Sequence, residues 1–230
     1  MTARLHFADA GEAADLAAFL ARLIHYDKAA AVRLQAAGDT LAVFGRPPSF
    51  EVLVIRTARL ARPYEHGHDT TLDVTVSAGE FLELVGASTE TEPGGNAEVA
   101  GVPAAVTGPP WAGVLPPRGG WRPEPGLPAP TAVRALVQGA VAEFRSRIEE
   151  LPAERRVRAE LDRVGREIWS RTIGDTHLPV RAAHAAQSLG FLRGTGLTLL
   201  SSGPWLRLRT DYGSVAVRRA GAGGLTVTPA

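Results

Sequence analysis

The side chains best suited to chemistry fall in three places. His66, His68 and Asp69 lie within four consecutive residues, with Gly67 between the histidines. On an extended segment His66 and His68 point the same way, and two imidazoles with a carboxylate form a zinc-type ligand set. A polar loop between two strands accounts for the same residues, and no H-E-x-x-H helix is present to complete a site. The second place is Trp205-Leu206-Arg207-Leu208-Arg209 and the following Val215-Ala216-Val217-Arg218-Arg219. Strand alternation puts Arg207 and Arg209 on one face, with Arg218 joining from the paired strand and Arg219 nearby. That is a candidate surface for nucleic acid or another anion; a solvated sheet face is the plainer account. The third place is a Pro/Gly-rich stretch carrying Trp111, Arg118 and Trp121. Aromatics and arginine are enriched at binding hot spots, and packing against the chain's own body would use them equally well.

Other chemistry is thinner. The chain contains no cysteine, which excludes disulfides, thiolate zinc sites, iron–sulfur clusters and cysteine nucleophiles. His25, His177 and His184 are scattered. His184 sits on an alanine-rich segment near Arg181 and Gln187, where it could move a proton or simply pack. No G-x-S-x-G elbow, P-loop or G-x-G-x-x-G after a strand occurs. Gly194-Thr195-Gly196 is followed by no helix whose N-terminus could hold phosphate. No cofactor is expected. The leading reading is a non-enzymatic binding or scaffolding protein, through a protein partner or self-association. The alternative is a nucleic-acid-associated protein using the basic C-terminal hairpin, and a third reading is a small-molecule enzyme.

The elements that must position these residues begin with composition. A chain of 230 residues, 45% hydrophobic, can bury a core without staples. Its near-neutral net charge of +1 is unevenly placed. Residues 1–86 hold 11 acidic against 8 basic side chains, and residues 131–230 hold 15 basic against 9 acidic. An anionic partner should therefore meet the C-terminal part. Met1 is followed by no signal-peptide pattern, and no apolar run approaches the roughly 20 residues that span a bilayer. A soluble, cytoplasmic protein without membrane contact is expected.

Periodicity predicts an α+β fold in three parts. Residues 1–86 read as a mostly antiparallel sheet with two helices. A short strand over 4–7 leads to a helix over 12–26, whose Leu16, Phe19, Leu20, Leu23 and Ile24 form one stripe. A hairpin over 31–44 turns at Gly38-Asp39; strands over 50–60 and 72–76 follow. Ser77 and Glu80 have capping-box spacing before a short helix over 81–85. Residues 87–130 form a Pro/Gly-rich connector, mobile near 90–96 and docked through its tryptophans, Val114 and Leu115. Residues 131–230 read as helices closed by a β-hairpin. Thr131 caps a helix to Ile148, and Pro152 interrupts before a second helix over 153–172 that buries Val157, Leu161, Val164 and Ile168. Glu154 with Arg158, Asp162 with Arg166 and Arg163 with Glu167 have supportive spacing there. Pro179 opens a helix that Gly190 stops, and the glycine-rich end from residue 220 is loose.

The order in residues 3–86 (strand, helix, hairpin, long strand, strand, small capped helix) resembles one repeat of a DNA sliding clamp. Residues 4–7, 12–26, 31–44, 50–60 and 72–85 are the matching pieces. Such a resemblance implies a clamp-like sheet backed by two helices. Clamps meet phosphates with basic helices, whereas here the helices carry Glu12, Asp15 and Arg22, then Glu80 and Glu83. The run from Trp111 to Trp121, with 183–192, also resembles an uncharacterised actinobacterial protein family, a likeness that implies no activity.

Overall fold

The structure is a computed structural model that describes residues 4–89, 98–99 and 101–219. The expected mobile stretch near 90–96 and the loose end from 220 lie outside the described residues. The chain divides into two compact units that meet at Leu115 and Pro116, inside the Pro/Gly-rich stretch.

The first unit is a sheet with strand order β5-β2-β3-β4, built from β2 (Ala31–Ala37), β3 (Thr40–Gly45), β4 (Leu53–Arg59) and β5 (Thr71–Ser77). All its pairings are antiparallel. β1 (Leu5–His6) pairs separately with β6 (Glu98–Val99). α1 (Ala10–Tyr26) and α2 (Ala78–Thr89) pack on one another over the sheet. α1 starts where Asp9 accepts the Glu12 N–H at 3.0 Å, the expected use of an Asx cap. Its stripe of Ala13, Leu16, Phe19, Leu20 and Leu23 is buried, with α1 packed on α2 and β4, and the alternate residues Val32, Leu34 and Ala36 of β2 are buried as well. Each large side chain so buried stabilises the fold by about 1.5–3 kcal/mol. Gly45 allows a close helix–strand approach, since a Cβ there would come within 2.7 Å of Leu23 Cδ2.

Arg56 fastens α1 to β4. It is buried beside Asp15 at 3.2 Å and Glu12 at 3.5 Å. Arg59 adds a more exposed bond to Glu12 at 3.1 Å.

Two elements in this unit depart most from the sequence expectation. β4 begins at Leu53 rather than residue 50, because the turn after Pro47 and Pro48 runs on to Glu51, whose φ is 52°. α2 begins at once after β5 and runs through Thr89 rather than spanning 81–85. The Glu80 N–H donates to Ser77 Oγ at 3.4 Å, so the cap starts the helix at Ala78.

The second unit has strand order β10-β9-β8-β7, from β7 (Arg122–Pro123), β8 (Leu197–Ser202), β9 (Trp205–Thr210) and β10 (Gly213–Arg218). The expected closing hairpin is thus part of a larger antiparallel sheet. Its inner face, including Leu199, Leu206, Leu208, Val215 and Val217, is buried. α5 (Val180–Ser188) packs on β10, and α3 (Pro130–Glu149) packs on α5 and on α4 (Arg158–Trp169). Gly190, at φ 76°, ends α5 as a left-handed stop.

The start of α3 differs from expectation: Ala129 is the cap, with no side-chain bond, and Pro130 takes the first helical position. The helix expected over 153–172 is broken into a 3-10 turn at Ala153–Arg155 and α4. Arg156 explains the break. Its guanidinium donates to Leu151 O at 2.9 Å and Glu149 O at 2.8 Å, satisfying carbonyls at the end of α3. The chain stays extended at Val157, which is 52% exposed instead of buried.

Candidate functional site

The outer face of the second unit's sheet carries the arginines. Register sets its membership: Arg207 lies opposite Ala216 and Leu200, Arg209 opposite Ser214 and Thr198, and Arg218 opposite Trp205. Directly opposed residues share a face, so Arg207, Arg209 and Arg218 stand together, away from the buried leucines and valines.

Each is held differently. Arg207 is part-buried, its Nε donating to Ser214 Oγ at 2.8 Å. Its guanidinium lies 5.6 Å from the centre of the Trp121 ring. Burial, then the like charge of Arg209, push its pKa below the usual guanidinium range. Arg218 is exposed and lies 5.9 Å from the Trp205 ring; Arg209 is exposed. Among the described residues no carboxylate pairs with these three. Cations left without carboxylates, two of them beside rings, can take an anion from solution.

Arg219 does not join them. Alternation sends it away from Arg218, and it binds Glu124. Hydrogen bonds from Ser201 and then Arg219 hold the Glu124 carboxyl below its usual range.

Trp121 reaches the sheet through a tight turn whose ends are tied. Its Nε1 donates to Pro117 O at 3.0 Å, and Ser202 Oγ donates to Gly119 O at 3.3 Å. Arg118, inside that turn, is exposed. Trp111 belongs to the first unit, in a 3-10 turn at Pro110–Gly113, so the two tryptophans read as one loop are divided between the units. Arg33 holds Trp111's turn, donating to Ala112 O while its other nitrogens bind Asp73 at 2.7 and 2.9 Å. The Asp73 hydrogen bond raises the Arg33 pKa. Backbone pairing of Val106 N with Thr75 O at 2.9 Å adds to this docking. Val114, expected to dock too, is 52% exposed. A cleft of about 720 Å³ opens beside Trp111, with Asp27, Arg46, Pro48, Val106 and Pro109 in its walls.

The helix layer of the second unit treats its arginines otherwise. Arg171 grips Glu143 with two bonds of 2.6 and 2.8 Å, and Arg147 binds Glu167 at 2.8 Å. Arg163 binds Glu160 at 2.9 Å and Glu167 at 4.0 Å. Arg158 pairs forward with Asp162 at 3.0 Å.

The histidine cluster is a turn. His66 and Asp69 exchange backbone hydrogen bonds of 2.9 and 3.0 Å around Gly67, at φ 62°. His66, His68 and Asp69 do not converge: among the described residues no group of three His, Cys, Asp or Glu could hold a metal ion. His184 stacks on Trp169 with centroids 4.4 Å apart, and burial lowers its pKa. Among the described residues no helix is long and apolar enough to cross a membrane.

Sequence reasoning missed the Trp121 partner of Arg207 and the Glu124 partner of Arg219. Both partners lie far away in the chain, and no local spacing encodes them. Strand alternation alone could have separated Arg219 from Arg218.

The protein is thus α+β in both halves, each an antiparallel sheet with helices on one face. Residues 1–113 match the model of a family described as Domain of unknown function (DUF8010). Residues 116–222 match that of Domain of unknown function (DUF8185), and the junction between the matches coincides with the structural division. No curated protein matches the chain. Among solved structures it is similar to the DNA polymerase III subunit beta from Pseudomonas aeruginosa, with a TM-score of 0.48 and 12% identity. That likeness covers 95% of this chain and 64% of the other, so the chain spans under two thirds of that protein's length. It is also similar to a DNA polymerase sliding clamp from Pseudomonas aeruginosa with ligand, with a TM-score of 0.43 and 13% identity. There the coverage is 99% of this chain and 67% of the other.

Proposed function

We propose that this chain is a non-enzymatic binding protein whose ligand-bearing surface is the outer sheet face of the second unit, and that its ligand is a polyanion. One observation carries the reading: Arg207, Arg209 and Arg218 share a face on which no described carboxylate neutralises them. Holding Arg207 part-buried beside another cation costs stability. A bound anion would offset that cost. Self-association or a protein partner then comes second to this face.

The test is binding of polyphosphate to the full chain between 50 and 200 mM salt. Three guanidinium contacts should give a slope of log affinity on log salt of about −2 to −3. Arg207→Glu combined with Arg209→Glu should abolish the binding. Salt-independent binding, or an unchanged double variant, would remove the assignment.

A further inference from the structure

Resting on the anion-binding reading, we infer that the ligand of this face is an unpaired nucleic-acid strand, with Trp121 as the platform for a base. Three features argue for it together.

The first is flatness. The face is a sheet surface whose β8 residues beside the cations, Thr198, Leu200 and Ser202, are no larger than leucine, while Ser214 and Ala216 on β10 are buried. Reading a duplex calls for a helix or ribbon that enters a groove. An unpaired strand lies across a sheet with its bases turned to the protein.

The second is the line of charge. Arg209 and Arg207 are two residues apart on β9, about 6.8 Å along the strand. Arg218 continues the line, because its partner Trp205 is two residues beyond Arg207 and β10 is displaced about 4.8 Å sideways. Three cations thus step obliquely across the face in single file. A single row of backbone phosphates matches such a row; two backbones separated by a groove do not.

The third is the ring. Trp121 is partly exposed and lies beside Arg207. Trp205 is 8% exposed, beside Arg218, and offers little ring to a base. Polyphosphate or an acidic peptide would satisfy the charges but has no use for an indole, whereas every base has a face that stacks on one. Residues 117–121 are closed on themselves by the Trp121 bond to Pro117 O and held to Ser202 of β8 at Gly119, so Trp121 is pre-positioned beside the cations.

The experiment compares oligothymidylate, a duplex of equal length and polyphosphate as ligands of the full chain. It follows fluorescence anisotropy and quenching of tryptophan emission, for wild type, Trp121→Ala and Trp121→Phe. Oligothymidylate should bind at least about tenfold more tightly than the other two and quench emission. Trp121→Ala should weaken it by about 5- to 150-fold while leaving polyphosphate affinity unchanged. Trp121→Phe should recover much of the loss and shows that the turn still folds. Equal affinity for oligothymidylate and polyphosphate, with both Trp121 variants unaffected, would overturn the strand assignment and leave the anion reading standing. Tightest binding to the duplex would overturn it too. Failure of all three ligands to bind would overturn the anion reading itself.

Discussion

Arg147, Arg163 and Arg171, on and just beyond α3 and α4, each meet a glutamate. Arg207, Arg209 and Arg218, on β9 and β10 of the same unit, meet an indole ring, a serine or no described partner. Both sets contribute to the same excess of basic residues. The helix geometry places opposite charges three and four residues apart or on neighbouring helices, where they neutralise one another. The sheet geometry separates its arginines from the unit's carboxylates. Among these six arginines, the net charge hides a difference: the helix set is neutralised and the sheet set is not. A segment's charge count becomes a binding argument only once its internal pairs are known.

The largest effect is expected from the buried side of β9: Leu208→Ala should destabilise the protein by about 2–5 kcal/mol in chemical denaturation. If it costs nothing, the inner and outer faces are wrongly assigned. Next comes pH. His184 has a folded pKa below the 6.5 of a free histidine, so the unfolded chain binds its proton more readily. Stability should rise with pH up to about 6.5 and fall as the solution is acidified below it. His184→Gln should flatten that part of the profile, measured by denaturation at a series of pH values.

Thr198→Glu would carry the helices' rule onto the sheet, since residue 198 lies directly opposite Arg209. The new cross-strand pair should add about 0.2–1 kcal/mol while weakening polyphosphate binding. A gain of stability without loss of binding would separate Arg209 from the site. The smallest effect belongs to Arg158→Ala. Arg158 is 88% exposed in its pair with Asp162, and a solvated pair contributes little. Its removal should leave both the melting curve and polyanion affinity unchanged.

Local patterns were legible where one short-range rule governed. The α1 stripe, the Gly38-Asp39 turn, the stop at Gly190 and the alternation of β9 all follow from spacing within a few residues. The readings that failed met a competitor that the pattern did not weigh, near or far in the chain. Val157 fits a helix pattern, but Arg156 folds back to the end of α3 and holds the chain extended. Thr131 is a good capping residue that lost its position to Pro130. His66 and His68 resemble ligands by spacing, yet a left-handed Gly67 makes their segment a turn. The two tryptophans look like one motif because eleven consecutive residues contain both, but the division of the chain falls between them.

The α+β class, the lack of thiol chemistry and the shared face of Arg207 and Arg209 could be read from the chain alone. Composition and period-two alternation are properties of the chain, independent of what packs on it. Which arginines remain available depended on how the chain folds. Glu124 claims Arg219, Glu143 claims Arg171, and Trp121 comes to rest beside Arg207. These partners are brought together by strand pairing and helix packing, and charge neutralisation depends on distance in space, which spacing along the chain does not report.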